Sequence, residues 1–120
     1  MADKRLLIVD DVEEMGEYVR FTAEEMGYDV KVVTEAREFM RIIDGYDPTA
    51  VVVDIVMPDI DGLELIKWLR ERGCKAKVIV ASAVNEDYAK LARSLGKGRG
   101  LDISMVKKPF QINELYTALE

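Results

Sequence analysis

The sequence predicts an α/β fold in which a parallel sheet is covered by helices on both faces. Five short β-rich runs alternate along the chain with segments of helical periodicity, and this alternation is typical of parallel sheets. Several runs are continuously apolar, as in AVVVD at 50–54, which indicates strands buried on both faces. Because crossovers between parallel strands are right-handed, the predicted architecture is a three-layer sandwich.

The predicted strands are rich in valine, isoleucine and leucine, the residues that fit a pleated, buried surface. Charged residues are rare inside them and tend to stand where a strand ends. In chain order the five runs are LLIVD (6–10), VKVV (30–33), AVVVD (50–54), KVIVA (77–81) and ISMV (103–106).

Between the strands, apolar residues recur every three or four positions, which is the spacing of one helix face. We interpret these stripes as core-facing sides of helices. A glycine follows each of the first four patterns and predicts the end of that helix. The patterns cover 12–26, 36–43, 63–69, 88–95 and 112–119, and the four glycines are Gly27, Gly45, Gly73 and Gly96.

Length and composition indicate one globular domain over residues 1–120. The last predicted helix is short, so either the C-terminus was trimmed or a further domain followed. Apolar residues make up 49% and charged residues 33% of the chain, and no apolar run is long enough to span a membrane. A single cysteine, Cys74, excludes an internal disulfide and favours a reducing cytoplasm.

Net charge and the lack of histidine exclude several functions. The formal net charge of −6 argues against nucleic-acid binding by this domain. The chain contains no histidine, which removes the commonest general base and the Ser/His and Cys/His catalytic pairs.

Polar side chains come together where the predicted strands end. In an open parallel sheet, ligands bind beyond the carboxyl ends of the strands. Taken singly, the acids could be helix caps or a stray strand-end carboxylate, the serine a turn residue and a lysine a solvated surface residue. Their coincidence at one edge favours a site. The residues are Asp10 and Asp11 after the first strand, Asp54 at the end of the third, Ser82 after the fourth, and Lys107 and Lys108 after the fifth.

The chemistry of this group predicts a phosphoryl-transfer site with a divalent cation. Three clustered carboxylates repel one another, and a hard cation relieves that repulsion. Oxygen-only ligands without histidine favour Mg²⁺, which often binds beside phosphate. A lysine and a hydroxyl can contact phosphate oxygens, while a carboxylate can serve as the nucleophile.

The sequence resembles the receiver domain of two-component response regulators, of the chemotaxis-regulator type, over its whole length. Four segments fall in the order and on the elements of that family: IVDD (8–11), DIVMPDIDG (54–62), VIVASA (78–83) and VKKPF (106–110). Any one segment is a weak signal, whereas the combination is specific. The resemblance implies a flavodoxin-like, doubly wound sheet with strand order 2-1-3-4-5.

The resemblance also implies which residues form the site. Asp54 corresponds to the phosphoacceptor, and the Mg²⁺ ligands correspond to Asp10, Asp11, Asp54 and the backbone carbonyl of Val56. Asp10 could act through water. Two further acids in the motif, Asp59 and Asp61, are expected to be turn or capping residues.

Other positions correspond to residues that respond to the phosphoryl group. Ser82 and Lys108 match the hydroxyl and the lysine that contact it, and the Lys108–Pro109 bond is expected to be cis. Met105 occupies the position of the family's aromatic switch residue, so the usual aromatic–hydroxyl coupling is altered here.

The implied function is to take a phosphoryl group from a histidine kinase or phosphotransfer protein. The face of the fourth helix, fifth strand and fifth helix would then act on a downstream effector or form a phosphorylation-dependent dimer. No membrane partner is expected, and the domain would catalyse only its own phosphorylation and dephosphorylation. Two alternatives remain: a pseudo-receiver that only binds protein, and a phosphatase with an aspartyl-phosphate intermediate, for which Val56 stands where a second aspartate is needed.

Overall fold

The computed structural model describes residues 4–54, 60–82, 102–107 and 112–120. Within these ranges the chain forms five strands and four helices, and they alternate as the sequence predicts up to β4. The strands are β1 (Arg5–Val9), β2 (Asp29–Val33), β3 (Ala50–Asp54), β4 (Lys77–Ser82) and β5 (Ile103–Lys107). The helices are α1 (Glu13–Glu25), α2 (Ala36–Tyr46), α3 (Gly62–Glu71) and α4 (Ile112–Leu119).

All five strands lie in one parallel sheet, in the order β2-β1-β3-β4-β5. This confirms the predicted α/β class and the predicted strand order. β2 forms one edge of the sheet, next to β1. β3, β4 and β5 follow in chain order on the other side of β1, and β5 forms the other edge. The reversal between β1 and β3 is the point at which such folds bind ligands.

Two apolar layers cover the two faces of the sheet, so the three-layer architecture is also confirmed. Successive strand residues point to opposite faces. On β3, Val51 and Val53 pack with α2 and α3, whereas Ala50 and Val52 pack with α1 and α4. Every residue of β3 is buried, which explains its continuously apolar sequence up to Asp54.

Glycines end two helices as predicted, and both have positive φ. Gly27 has φ 91° and Gly73 has φ 68°. Around Gly27, the amide of Tyr28 donates to the carbonyl of Ala23 and the amide of Gly27 donates to that of Glu24, both at 3.1 Å. This pair of bonds is the Schellman motif, which requires a left-handed residue after the helix.

The predicted stop at Gly45 is wrong by one residue. α2 continues through Gly45 to Tyr46, and Asp47 takes the left-handed conformation instead, with φ 52°. Its amide donates to the carbonyl of Ile43 at 2.9 Å. Short polar residues such as aspartate tolerate this conformation better than most, so the glycine is not needed as the cap.

The predicted helix over 88–95 lies outside the described residues. Among the helices that the structure describes, none combines the length and hydropathy that crossing a membrane requires.

Candidate functional site

Two acids of the predicted site stand side by side at the carboxyl edge of the sheet. β1 and β3 are paired in parallel, with Val9 opposite Val53. The next residues, Asp10 and Asp54, therefore lie beside each other at the carboxyl ends of the two strands. Both are largely buried, with 4% and 6% of their surface exposed. A buried carboxylate needs compensation by hydrogen bonds or by a positive charge, and therefore these two positions are candidates for a binding site.

Asp11 joins them from the start of the β1–α1 connection. One carboxylate oxygen from each of Asp10, Asp11 and Asp54 can be chosen so that all three atoms lie within 4.8 Å of one another. Asp11 is exposed, whereas the other two are buried. The group is thus open to solvent on one side and closed by the sheet on the other.

The turn that carries Asp11 is fixed by Asp10. A carboxylate oxygen of Asp10 accepts a hydrogen bond from the amide of Val12 at 2.9 Å. The amide of Asp10 donates to the carbonyl of Val33 on β2 at 3.2 Å. Val12 is the residue before α1. If Asp10 capped the helix, its carboxylate would instead accept a hydrogen bond from an amide inside the first helical turn. Asp10 therefore organises the turn before the helix.

The three carboxylates suit one hard divalent cation. Mg²⁺ binds oxygen ligands at about 2.0–2.1 Å, so ligand atoms that share the ion can be up to about 4 Å apart. The oxygens of the cluster are already close to that spacing. Hard oxygen donors and a chain without histidine disfavour the transition metals that prefer nitrogen or sulfur.

The backbone of Ser82 also reaches this edge. In the pairing of β3 with β4, Asp54 lies opposite Ala81, and Ser82 is the next residue and the last of β4. On the other side, Ser82 lies opposite Lys107 of β5. The sequence prediction placed both residues just after their strands, whereas they are the final residues of β4 and β5.

Met105 lies farther back, in the middle of β5. It is opposite Val80 and is partly buried, packed against the apolar layer that contains α2 and α3. Val56, Asp59, Lys108 and Pro109 lie outside the described residues, so their predicted roles stay predictions.

Asp61 is a capping residue, as expected. Its carboxylate accepts a hydrogen bond from the amide of Leu63 at 2.8 Å, at the N-terminus of α3. This position explains one of the acids after β3 without a ligand role.

The sequence prediction missed the amide of Val12 as a partner of the site. The available signal was the spacing, because aspartate often accepts a bond from the amide two residues on. The side chain of Val12 is itself 49% exposed, so an apolar group stands next to the acidic cluster.

Comparisons with known proteins agree with this geometry. The response regulator receiver domain family matches residues 6–120. PhoP of Bacillus subtilis, a transcriptional regulatory protein for alkaline phosphatase synthesis, is 30% identical over 113 residues, which is 94% of this chain and 45% of that protein. The response regulator MprA of Mycolicibacterium vanbaalenii is 34% identical over 111 residues, 92% of this chain and 46% of that protein.

A solved structure shows the same fold. The receiver domain of the Francisella response regulator 1452 is 27% identical and superimposes with a TM-score of 0.84, covering 98% of this chain and 93% of that one. The chain spans about half the length of the curated relatives it matches. The fold, the match over residues 6–120 and these relatives together show that the chain belongs to the response regulator receiver domain family.

Proposed function

We propose that this receiver domain takes a phosphoryl group onto Asp54 from the phosphohistidine of a kinase or phosphotransfer protein. A carboxylate oxygen of Asp54 attacks phosphorus, the bond between phosphorus and the donor imidazole nitrogen breaks, and the imidazole leaves with a proton from solvent. These 120 residues contain no histidine, so the phosphohistidine lies outside them or a small phosphate donor takes its place.

The placement of Asp54 supports this proposal most directly. It ends a strand that is buried along its whole length, and such a strand holds the carboxylate in a fixed position. Phosphoryl transfer depends mainly on positioning and on charge stabilisation. The carboxylates of Asp10 and Asp11 lie next to Asp54. This negative charge makes the approach of an anionic phosphoryl group to Asp54 unfavourable unless a cation is present.

Asp10, Asp11 and Asp54 are the described residues that would hold Mg²⁺, together with the carbonyl of Val56 implied by the family. The cation supplies charge neutralisation for the acceptor and the phosphoryl oxygens. The Ser82 hydroxyl and the Lys108 ammonium are the proposed donors to those oxygens. The new group adds about −1.5 to −2 charge, which biases a two-state equilibrium through Met105 and the face of β5 and α4.

Membership of the family supports a proposal for the partners. We propose a cytoplasmic histidine kinase or phosphotransfer protein as donor and an effector domain or protein as the target, with no membrane or nucleic-acid contact by this domain. A dimer formed on phosphorylation is a further proposed outcome. The domain acts on itself and is not an enzyme for other substrates.

The direct test is phosphorylation by acetyl phosphate with and without Mg²⁺, followed by intact-protein mass spectrometry. We expect one added phosphoryl group in the wild type with Mg²⁺ and none in EDTA. Asp54→Asn should abolish the adduct. Asp61→Asn is the matched control, because it removes a nearby acid that caps α3 and should leave phosphorylation intact.

The other possible results of this test would contradict the proposal or favour one of the two alternative functions. An adduct that persists in Asp54→Asn would contradict the assignment of the acceptor. No adduct under any condition would favour a module that only binds protein. Continuous release of phosphate from small phosphoesters, proportional to domain concentration, would favour the phosphatase alternative.

A further inference from the structure

A cavity lies at the edge of the sheet opposite the acidic cluster, where α2 and α3 end. Its volume is about 470 Å³, and pockets that hold small molecules measure about 300–1,000 Å³. Arg5, the first residue of β1, forms one wall. The other walls come from the segment 43–49, which leads from α2 into β3, and from the segment 72–76, which leads from α3 into β4.

Two arginines of the cavity are held in place by fixed partners. Arg5 donates from Nε to the carbonyl of Asp47 at 2.8 Å, and its Nη2 lies 3.4 Å from the carboxylate of the same residue. Arg72 pairs with Asp44, and its guanidinium lies 4.4 Å from the centre of the Trp68 ring, a cation–π distance. Both guanidinium groups are therefore positioned before any ligand arrives.

The two arginines are much less exposed than the acids with which they pair. The side chains of Arg5 and Arg72 are 26% and 31% exposed, whereas those of Asp47 and Asp44 are 85% and 74% exposed. The positive groups thus belong to the walls of the cavity and the negative groups to its rim. Ion pairs with such exposed acids contribute little to stability, so a ligand carboxylate can join the arginines at small cost. Arginine binds carboxylates through two parallel hydrogen bonds.

The charges around the cavity balance. Three cationic side chains and two carboxylates line it: Arg5, Arg72, Lys75, Asp44 and Asp47. Two helices, α2 and α3, also end there, and each helix C-terminus is equivalent to about half a negative charge. Because these contributions sum to about zero, the cavity favours neither a simple anion nor a simple cation. It suits a ligand that carries one charge of each sign.

Apolar groups complete the lining. Ile43, Pro48 and Ala76 face the same cavity, and Ile43 and Ala76 belong to the buried apolar layer of α2 and α3. Small-molecule sites typically combine apolar surface with a few placed polar groups. The ligand should therefore have an apolar part beside its two charges.

We propose that this cavity binds a small zwitterion of the class of α-amino acids with apolar side chains. The ligand carboxylate contacts the guanidinium groups of Arg5 and Arg72. Its ammonium faces Asp44 and Asp47 at the rim, and its side chain lies against the apolar lining. The site is separate from the proposed phosphoryl transfer and does not depend on it.

An NMR titration of the ¹⁵N-labelled domain with L-leucine tests the site, in EDTA and without a phosphate donor. We expect saturable amide shifts with a Kd in the millimolar range or below, larger at Arg5, Gly73 and Cys74 than at Asp10 and Asp11. Leucinamide lacks the carboxylate and 4-methylpentanoate lacks the ammonium. Each should bind about tenfold more weakly or less, because it loses a charge-assisted interaction.

The arginine variants test the wall of the cavity. Arg72→Gln and Arg5→Gln should each raise the Kd for L-leucine by about tenfold or more, because each removes a charged donor. Two variants are used so that one that fails to fold, as seen in its spectrum, leaves the other to decide. Arg41→Gln is the matched control, since Arg41 pairs with Glu38 on α2 and is not part of the cavity. It should bind L-leucine as the wild type does.

Three outcomes would overturn the site: no saturable shifts at the cavity, binding of leucinamide or 4-methylpentanoate as tight as that of L-leucine, or wild-type affinity in a folded Arg5→Gln or Arg72→Gln domain. Acceptance of phosphate by Asp54 is measured separately, by mass spectrometry without L-leucine. The two proposals can therefore fail independently.

Discussion

At the scale of single residues, Asp10 combines two tasks that substitution can separate. Its carboxylate contributes charge to the cluster, and one of its oxygens accepts the amide of Val12. An asparagine keeps the accepting oxygen and removes the charge, whereas an alanine removes both. The asparagine variant therefore tests the charge alone, and the difference between the two variants tests the hydrogen bond to Val12.

We expect Asp10→Asn to weaken Mg²⁺ binding by about ten- to a hundredfold, which is the range for groups that support a metal site. Its unfolding free energy in EDTA should not fall, because the turn keeps its hydrogen bond. Isothermal titration calorimetry and urea unfolding measure the two quantities. Asp29→Asn removes the same charge at the far edge of the sheet and should leave the affinity unchanged. Equal affinity in Asp10→Asn and the wild type would contradict a cation site that includes Asp10.

Asp10→Ala should weaken Mg²⁺ binding in the same way and should also destabilise the fold by about 1 kcal/mol in EDTA, because the Val12 amide loses its partner. Urea unfolding of the two variants side by side measures the difference. If the alanine variant were as stable as the asparagine variant, the bond to Val12 would have no role in holding the turn.

The sequence was sufficient to predict that Asp10, Asp11 and Asp54 meet, because each follows or ends a strand and parallel strands end at one edge. It was not sufficient to predict which acid holds the turn. That choice depends on the backbone path after β1, which brings the Val12 amide to Asp10. Apolar periodicity carries no information about it.

At the scale of elements, the contact between α1 and β2 depends on a glycine. A Cβ built on Gly16 would lie 2.6 Å from a methyl carbon of Val32, well inside van der Waals contact. We expect Gly16→Ala to destabilise the domain by about 1–3 kcal/mol, the usual cost of overpacking. Thermal and urea unfolding measure it, and Val32→Ala in the same chain should recover part of the loss.

Gly45→Ala is the control for that experiment and a prediction of its own. Gly45 lies inside α2, and nothing lies within 4 Å of a Cβ built there. Because alanine has less conformational freedom to lose on folding, we expect a gain of about 0.5–1 kcal/mol. A loss of stability would show that α2 does not continue through this position.

The helix ends show where local sequence rules succeed and where they fail. Gly27 and Gly73 end α1 and α3 because the chain needs positive φ there. At Gly45 the same residue type was misread, because Asp47 takes the left-handed conformation two residues later. Arg5 stabilises it, donating from Nε to the Asp47 carbonyl at 2.8 Å. Such a tertiary contact, 42 residues away in sequence, cannot be read from a local pattern.

The hydrogen bond that joins the Tyr28 hydroxyl to α4 makes the stability of the domain depend on pH. Burial raises the pKa of the Tyr28 hydroxyl above its ordinary value of 10.0. The folded state therefore favours the protonated phenol, which also donates to Leu119. This contribution is fully present below about pH 10 and is lost as pH rises through the folded-state pKa. Urea unfolding between pH 8 and 11.5 should show a steeper loss for the wild type than for Tyr28→Phe; parallel curves would contradict it.

At the scale of the whole molecule, the two apolar layers and the acidic edge are parts of one arrangement. The alternating sides of the strands fill both layers, and in the three central strands β1, β3 and β4 the polar residues stand only at the strand ends. Buried strands fix those ends relative to one another. The cost of this arrangement is a set of like charges held close together, and a bound cation would reduce that cost.

Cation binding should consequently stabilise the entire fold. A ligand that binds only the native state adds RT ln(1 + [L]/Kd) to the free energy of unfolding, about 2.7 kcal/mol at a hundredfold excess over Kd. We expect the urea midpoint of the wild type to rise with Mg²⁺ along this curve, measured against NaCl of equal ionic strength because general screening also affects clustered charges. Asp54→Asn should shift less at every concentration, while Asp61→Asn should follow the wild type. A wild-type midpoint that is the same in EDTA and in saturating Mg²⁺ would show that the three carboxylates do not act as a cation site, and the proposed route to the aspartyl phosphate would lose its support.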